Sequence, residues 1–132
     1  MPAPEYLARF RAADLFLDTL PYNAGTTASD ALWAGLPVLT CAGEGFASRV
    51  AASLLMAVGL PELVAATEEE YVETAVSLAT NPQRMSTLRQ LLSNRGSARL
   101  FDIRAFTQNL EAGYQELCRR HQAGLPPADI RV

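Results

Sequence analysis

Tyr22-Asn23-Ala24-Gly25-Thr26-Thr27-Ala28-Ser29-Asp30 joins an apolar run of strand length, Ala13-Asp14-Leu15-Phe16-Leu17-Asp18, to a helical pattern, Ala31-Leu32-Trp33-Ala34, that stops at Gly35. A strand, a loop of small and hydroxyl residues, and a helix start in that order make phosphate-binding architecture. Gly25 lets backbone approach a ligand closely, and the free N–H groups around Thr26 and Thr27 face outward at the positive end of the helix dipole. Asp30 follows one turn on, within reach of a neighbouring sugar hydroxyl. Read as isolated residues, the same stretch is an ordinary turn in which Gly25 relieves strain, Thr26 caps, and Ser29 or Asp30 completes the first turn. The loop matches neither G-x-x-x-x-G-K-[ST] nor G-x-G-x-x-G, so it is neither a Walker loop nor a dinucleotide fingerprint.

Outward from the loop, Glu5 to Ala12 reads as a short helix entering a first strand at Asp14 to Asp18. The helix Thr26 to Ala34 leads to Pro37-Val38-Leu39-Thr40-Cys41, a second apolar strand, which makes a compact βαβ unit. Phe46 to Val58 carries apolar residues at Phe46, Val50, Leu54 and Val58, and Gly59 ends that helix. Leu63-Val64-Ala65 is a third strand. Thr67 followed by Glu68, Glu69 and Glu70 reads as an N-cap with a dipole-favoured acidic first turn rather than a metal site. Helix runs to about Ala79, restarts near Pro82 and holds Met85, Leu88 and Leu92 on one face. A last helix shows the stripe Ile103, Phe106, Leu110, Tyr114 and Leu117, expected to be buried as core. Three parallel strands with helices between them amount to part of a doubly wound sheet, a partial Rossmann-like α/β fold. Residues 1–124 form this portion and 125–132, with Pro126 and Pro127, a tail.

Composition narrows the function. With 49% hydrophobic and 19% charged residues, the 132-residue chain supports one modest core. A net charge of −3 with scattered arginines gives no footprint for nucleic acid. No apolar run approaches the length of a membrane span and no secretory signal is visible, so a reducing, cytoplasmic location is the expectation. Cys41 and Cys118 read as buried structural thiols, Trp33 as core beneath the loop, and Arg49 as a structural partner of Asp18 or Glu44. His121, beside Arg119 and Arg120, complements the last helix's dipole and takes no catalytic role. All eleven basic residues are arginine.

The longer string LDTLPYNAGTTASDALWAGLPVLT, followed by FASRVAASLL and Val58-Gly59-Leu60-Pro61-Glu62-Leu63-Val64, closely resembles the end of the catalytic region of O-GlcNAc transferase and Spindly-type glycosyltransferases, usually found behind tetratricopeptide repeats. The resemblance runs from about Glu5 to the final helix. It implies the latter part of the second Rossmann-like domain of a GT-B enzyme, in which a protein Ser or Thr hydroxyl attacks the anomeric carbon of a nucleotide sugar with inversion and without a metal or other cofactor. On that likeness Gly25, Thr26 and Thr27 hold the UDP diphosphate and Asp30 accepts a ribose hydroxyl. In the best-known version the position of Gly25 is histidine and that of Ala24 is glycine, so one side-chain donor is lost here. Tyr6 and Arg9 fall where the family carries a ring that packs on uracil and an arginine that approaches the nucleotide. The diphosphate-neutralising lysine, the acceptor site and any proton acceptor are implied to come from other parts of such an enzyme, so no residue of this chain is assigned a catalytic role. Another GT-B nucleotide-sugar enzyme, or a non-catalytic fragment that self-associates through an unpaired strand edge and the last helix, stands as the alternative.

Overall fold

A computed structural model describes residues 2–94, 96 and 98–131. Its described residues fall into two compact units, 1–100 and 101–132. The first unit is built on a parallel sheet of three strands in the order β1 (Phe16–Leu17), β2 (Val38–Cys41), β3 (Val64–Ala65). Phe16 stands opposite Val38 and Leu17 opposite Leu39, while Thr40 and Cys41 stand opposite Val64 and Ala65. The ladder is short, so the run expected from Asp14 to Asp18 contributes only two paired residues, extended by backbone bonds from Phe16 to Pro37 and from Asp18 to Leu39.

Helix α1 (Ala3–Ala8) tightens into a 3-10 turn at Arg9–Ala12 before β1. Helix α2 (Thr26–Ala34) crosses from β1 to β2 and ends at Gly35, whose φ of 86° is the left-handed cap that a side chain disfavours. Helix α3 (Val50–Val58) ends the same way at Gly59, with φ of 85°. Helix α4 (Glu68–Thr80) begins at Thr67, whose hydroxyl accepts from the Glu70 N–H, and α5 (Pro82–Ser93) begins at Asn81, whose side chain accepts from Arg84 N–H. These caps satisfy otherwise orphaned donors. Helices α2 and α3 pack on β2 and on each other, and α4 packs on β2 and β3.

The core is aliphatic: Leu32, Val38, Leu39, Leu55, Leu63 and Leu78 are all fully shielded, with Leu88 and Leu92 of α5 added to it. Continuous burial of all four β2 residues identifies the central strand. Three core expectations are corrected. Trp33 is 45% exposed, because α2 turns Ala28, Ala31 and Leu32 inward and leaves Trp33 on its outer side. The α3 stripe is offset, since Ala51 and Leu55 form its buried face while Phe46 is 81% exposed. A 3-10 turn at Ala47–Arg49 delays the helix start and shifts the angular phase of the residues after it. Cys41 is buried as expected, but Cys118 is exposed.

The second unit is dominated by α6 (Ile103–Gln122), capped by Asp102 accepting from Ala105 N–H. Its expected core stripe is exposed: Ile103, Phe106, Tyr114 and Leu117 each present more than half their surface and Leu110 nearly half. Periodicity identifies an apolar face; it does not supply a surface to cover that face. Residues 125–131 contain no helix or strand, and 132, the end of the expected tail, lies outside the described residues.

Candidate functional site

The loop from Asp18 to Gly25 leaves the carboxyl end of β1, the edge where ligands of open α/β sheets bind. Asp18 is only 5% exposed, and its backbone is fixed from two sides. Its N–H donates to Leu39 O at 3.0 Å, and its carbonyl accepts from the Tyr71 hydroxyl of α4 at 2.9 Å. Its side chain then closes the loop: Oδ1 accepts from the N–H of Thr19 at 2.9 Å and of Ala24 at 2.7 Å. Oδ2 accepts from the Thr40 hydroxyl at 2.7 Å. Asn23, also buried, donates through Nδ2 to Thr40 Oγ1 and to Cys41 O. Between these anchors the loop contains a cis peptide from Leu20 to Pro21 and a bond from the Thr19 hydroxyl to Tyr22 O.

Asp18 is therefore occupied within the loop, which corrects its expected pairing with Arg49. Among the described residues Arg49 forms an ion pair with neither Asp18 nor Glu44. The hydroxyl of Tyr71 is pushed above its ordinary acidity range by burial first and by the nearby Asp18 charge second. The Cys41 thiol is likewise raised, by burial and then by the glutamates that open α4. Both shifts favour the protonated form, the form in which the Tyr71 hydroxyl donates to Asp18 O.

Gly25 hands the loop to α2. Its carbonyl accepts the first helical bond, from Ser29 N–H at 3.0 Å, and no side chain caps the helix. The leading N–H groups of α2 have no partner within the helix and lie at the positive end of its dipole. Neither a left-handed φ nor a crowded neighbour demands glycine at position 25: its φ is −101°, and an added Cβ would meet only Val50 Cγ1 at 3.5 Å. Close packing therefore does not account for this glycine.

Two grooves flank the start of α2. One, of about 450 Å³, is lined by Tyr6, Arg9, Phe10, Leu17 and Thr27 among others. Tyr6 packs edge-on against Phe10, with ring centroids 5.5 Å apart, which fixes its ring beside the groove. The second, of about 520 Å³, is lined by Tyr22, Asn23, Gly25, Thr26, Ser29 and Phe46 among others. Tyr22 and Phe46 are both largely exposed there. Asp30, half-buried, lines neither groove, but it lies three residues beyond Thr27 on the same side of α2. Five of the six candidate residues thus gather in two grooves around one helix start. The Asp18, Thr40 and Asn23 network was not foreseen, and its sequence signal is slight: one hydroxyl inside an otherwise apolar strand and an acid at a strand's end. Among the described residues no group of three His, Cys, Asp or Glu is placed to hold a metal ion.

Comparison with known proteins adds a family. The sequence model of glycosyl transferase family 41 matches residues 1–110. A UDP-N-acetylglucosamine–peptide N-acetylglucosaminyltransferase of Caenorhabditis elegans is 40% identical over 92% of this chain, which spans 11% of that protein. A probable enzyme of the same description, SPINDLY of Petunia hybrida, is 39% identical over 97% of the chain, which spans 14% of it. A solved structure of a Thermobaculum terrenum O-GlcNAc transferase mutant superposes with a TM-score of 0.78 and 38% identity, covering 88% of this chain and 22% of that one.

Proposed function

The chain belongs to glycosyl transferase family 41, and on that footing we propose that it is the nucleotide-sugar-binding part, of UDP-GlcNAc type, of an inverting glycosyltransferase acting on protein Ser and Thr hydroxyls. The observation that carries this reading is the uncapped N-terminus of α2, set between two grooves at the carboxyl edge of the sheet. The diphosphate lies on Gly25, Thr26 and Thr27, where backbone N–H groups and two hydroxyls meet its charge. The base enters the groove of Tyr6 and Arg9, the tyrosine offering a ring face and the arginine a cation in a chain that has no lysine. Asp30 accepts from the ribose, and the sugar extends toward the groove of Tyr22 and Phe46.

In the transfer itself an acceptor hydroxyl oxygen bonds to the anomeric carbon on the face opposite the diphosphate. The anomeric C–O bond breaks, UDP departs with the electron pair, and the hydroxyl proton passes to a base outside this chain. The α2 terminus stabilises the charge that grows on the leaving diphosphate. The relatives are much longer than this chain, so the acceptor protein, the lysine and the repeats belong to this proposal through the whole enzyme. A reducing, cytoplasmic setting fits two free cysteines, one of them exposed. No helix of the described residues is long and apolar enough to cross a membrane.

Calorimetric titration with UDP tests the reading. Loss of one hydrogen bond to a charged group costs about 1.5–3 kcal/mol, so Thr27→Ala and Asp30→Ala should each weaken UDP by roughly 10- to 150-fold. Two variants that bind like the parent would place the nucleotide elsewhere, and tighter binding of GDP than UDP would change the donor class.

Self-association is a second property, favoured by the exposed α6 stripe. Sedimentation at micromolar concentration should show dimers or larger species, and Phe106→Glu together with Leu110→Glu should return monomers. A parent chain that sediments as monomer throughout that range rules it out.

A further inference from the structure

We infer that Asp18 is the positioning residue of the proposed phosphate loop, oriented by a one-way hydrogen-bond chain through Thr40 and Asn23. This rests on the reading of α2's N-terminus as the diphosphate site. Asp18 touches no part of that site. It acts through Ala24, whose N–H donates to Oδ1 one residue before Gly25, the residue from which α2 starts.

The chain has a direction set at one end. Cys41 O can only accept, so Asn23 must turn its amide nitrogen toward β2. The second Nδ2 hydrogen then occupies a lone pair of Thr40 Oγ1, and the hydroxyl proton is left to point at Asp18 Oδ2. Only a group that presents bare oxygen on both sides fits there. Asparagine at position 18 would aim an NH₂ either at the Thr40 hydroxyl proton or at the N–H groups of Thr19 and Ala24. Turning Asn23 over to suit it would set oxygen against the Cys41 carbonyl. This orientation of Asn23 leaves its Oδ1 buried without a partner, a cost that the two bonds on its nitrogen offset.

Burying a carboxylate in order to fill space is unfavourable, since an aliphatic side chain would do it better. The partners of Asp18 account for the choice. Two of its three side-chain bonds go to loop N–H groups, and the third fixes the carboxylate plane. Because its own backbone is tied to β2 and to Tyr71, the carboxylate is a rigid post on which the loop closes.

Three variants of the 132-residue chain test this: Asp18→Asn, Thr40→Val and Thr40→Ser. Each is measured for UDP affinity by calorimetry and for hydrogen exchange at the Ala24 amide. Asp18→Asn and Thr40→Val should each raise the UDP Kd about tenfold or more and speed Ala24 exchange by a similar factor, while Thr40→Ser, which keeps the hydroxyl, stays near the parent in both. Parent-like affinity and exchange in Thr40→Val overturn the inference. Equal losses in Thr40→Val and Thr40→Ser also overturn it, because packing rather than the hydroxyl would then be responsible. If Asp18→Asn does not fold, the two Thr40 variants decide. A parent chain that fails to bind UDP at all sinks the proposed function instead, and Ala24 exchange alone then judges the loop: faster in Thr40→Val but not in Thr40→Ser sustains it, and no difference ends it.

Discussion

Incubated with UDP-GlcNAc and a Ser/Thr-containing protein acceptor, the purified 132-residue chain is expected to release no UDP above the uncatalysed background. Glycosyl transfer by an enzyme draws on two large reductions of the barrier. Alignment of donor and acceptor supplies up to about 7–11 kcal/mol, and each preorganised donor to the leaving group adds about 2.7–4 kcal/mol. For the diphosphate of the proposed site the chain offers a helix terminus and two threonines, but it has no lysine, and the family resemblance assigns that cation and the acceptor cleft to other parts of the enzyme. Its most buried acid near the loop, Asp18, is already engaged by two loop amides and Thr40 and is not available as a base. Holding the donor without aligning an acceptor leaves the proximity and orientation part of the barrier in place. Coupled UDP detection together with mass spectrometry of the acceptor checks this. Acceptor-dependent turnover near 1 per second, the lower end of ordinary enzyme rates, would mean that the chain carries a complete active centre.

Legibility in the sequence tracks the range over which each determinant acts. The expected start of α2 at Thr26 and its stop at Gly35 are those observed, and Thr67 caps α4, because caps and glycine stops are settled within four or five residues. The three strands and their parallel direction were readable from apolar runs alternating with helical segments. Trp33, Cys118 and the α6 stripe were misread for one shared reason: an apolar residue reports a preference for burial, and only tertiary neighbours can grant it. The face of α3 slipped because a 3-10 turn consumed the first residues of its expected helix. At the candidate site, Tyr6, Arg9 and Thr27 line one groove and Gly25 and Thr26 another, a grouping that local spacing suggested only for the loop. The bond from Asp18 to Thr40 spans 22 residues and has no periodic signature at all.

Leu39→Ala is expected to be among the most destabilising single truncations in the chain, by about 2–5 kcal/mol, against a total stability of about 5–15 kcal/mol for a domain of this size. Leu39 is fully shielded on β2, the central strand, opposite Leu17 of β1, so the lost side chain leaves a cavity in a close-packed aliphatic core. The effect should reach the candidate site, because Leu39 stands opposite Leu17 and its carbonyl receives the N–H of Asp18, the residue on which the loop closes. Chemical denaturation followed by circular dichroism gives the measurement, with Phe106→Ala as the contrasting case. Phe106 is 67% exposed on α6, and its truncation should stay within about 0.5 kcal/mol when the protein is dilute enough to be monomeric. Comparable losses from the two variants, or a loss below about 1 kcal/mol from Leu39→Ala, would show that the energetic centre of the chain is not β2.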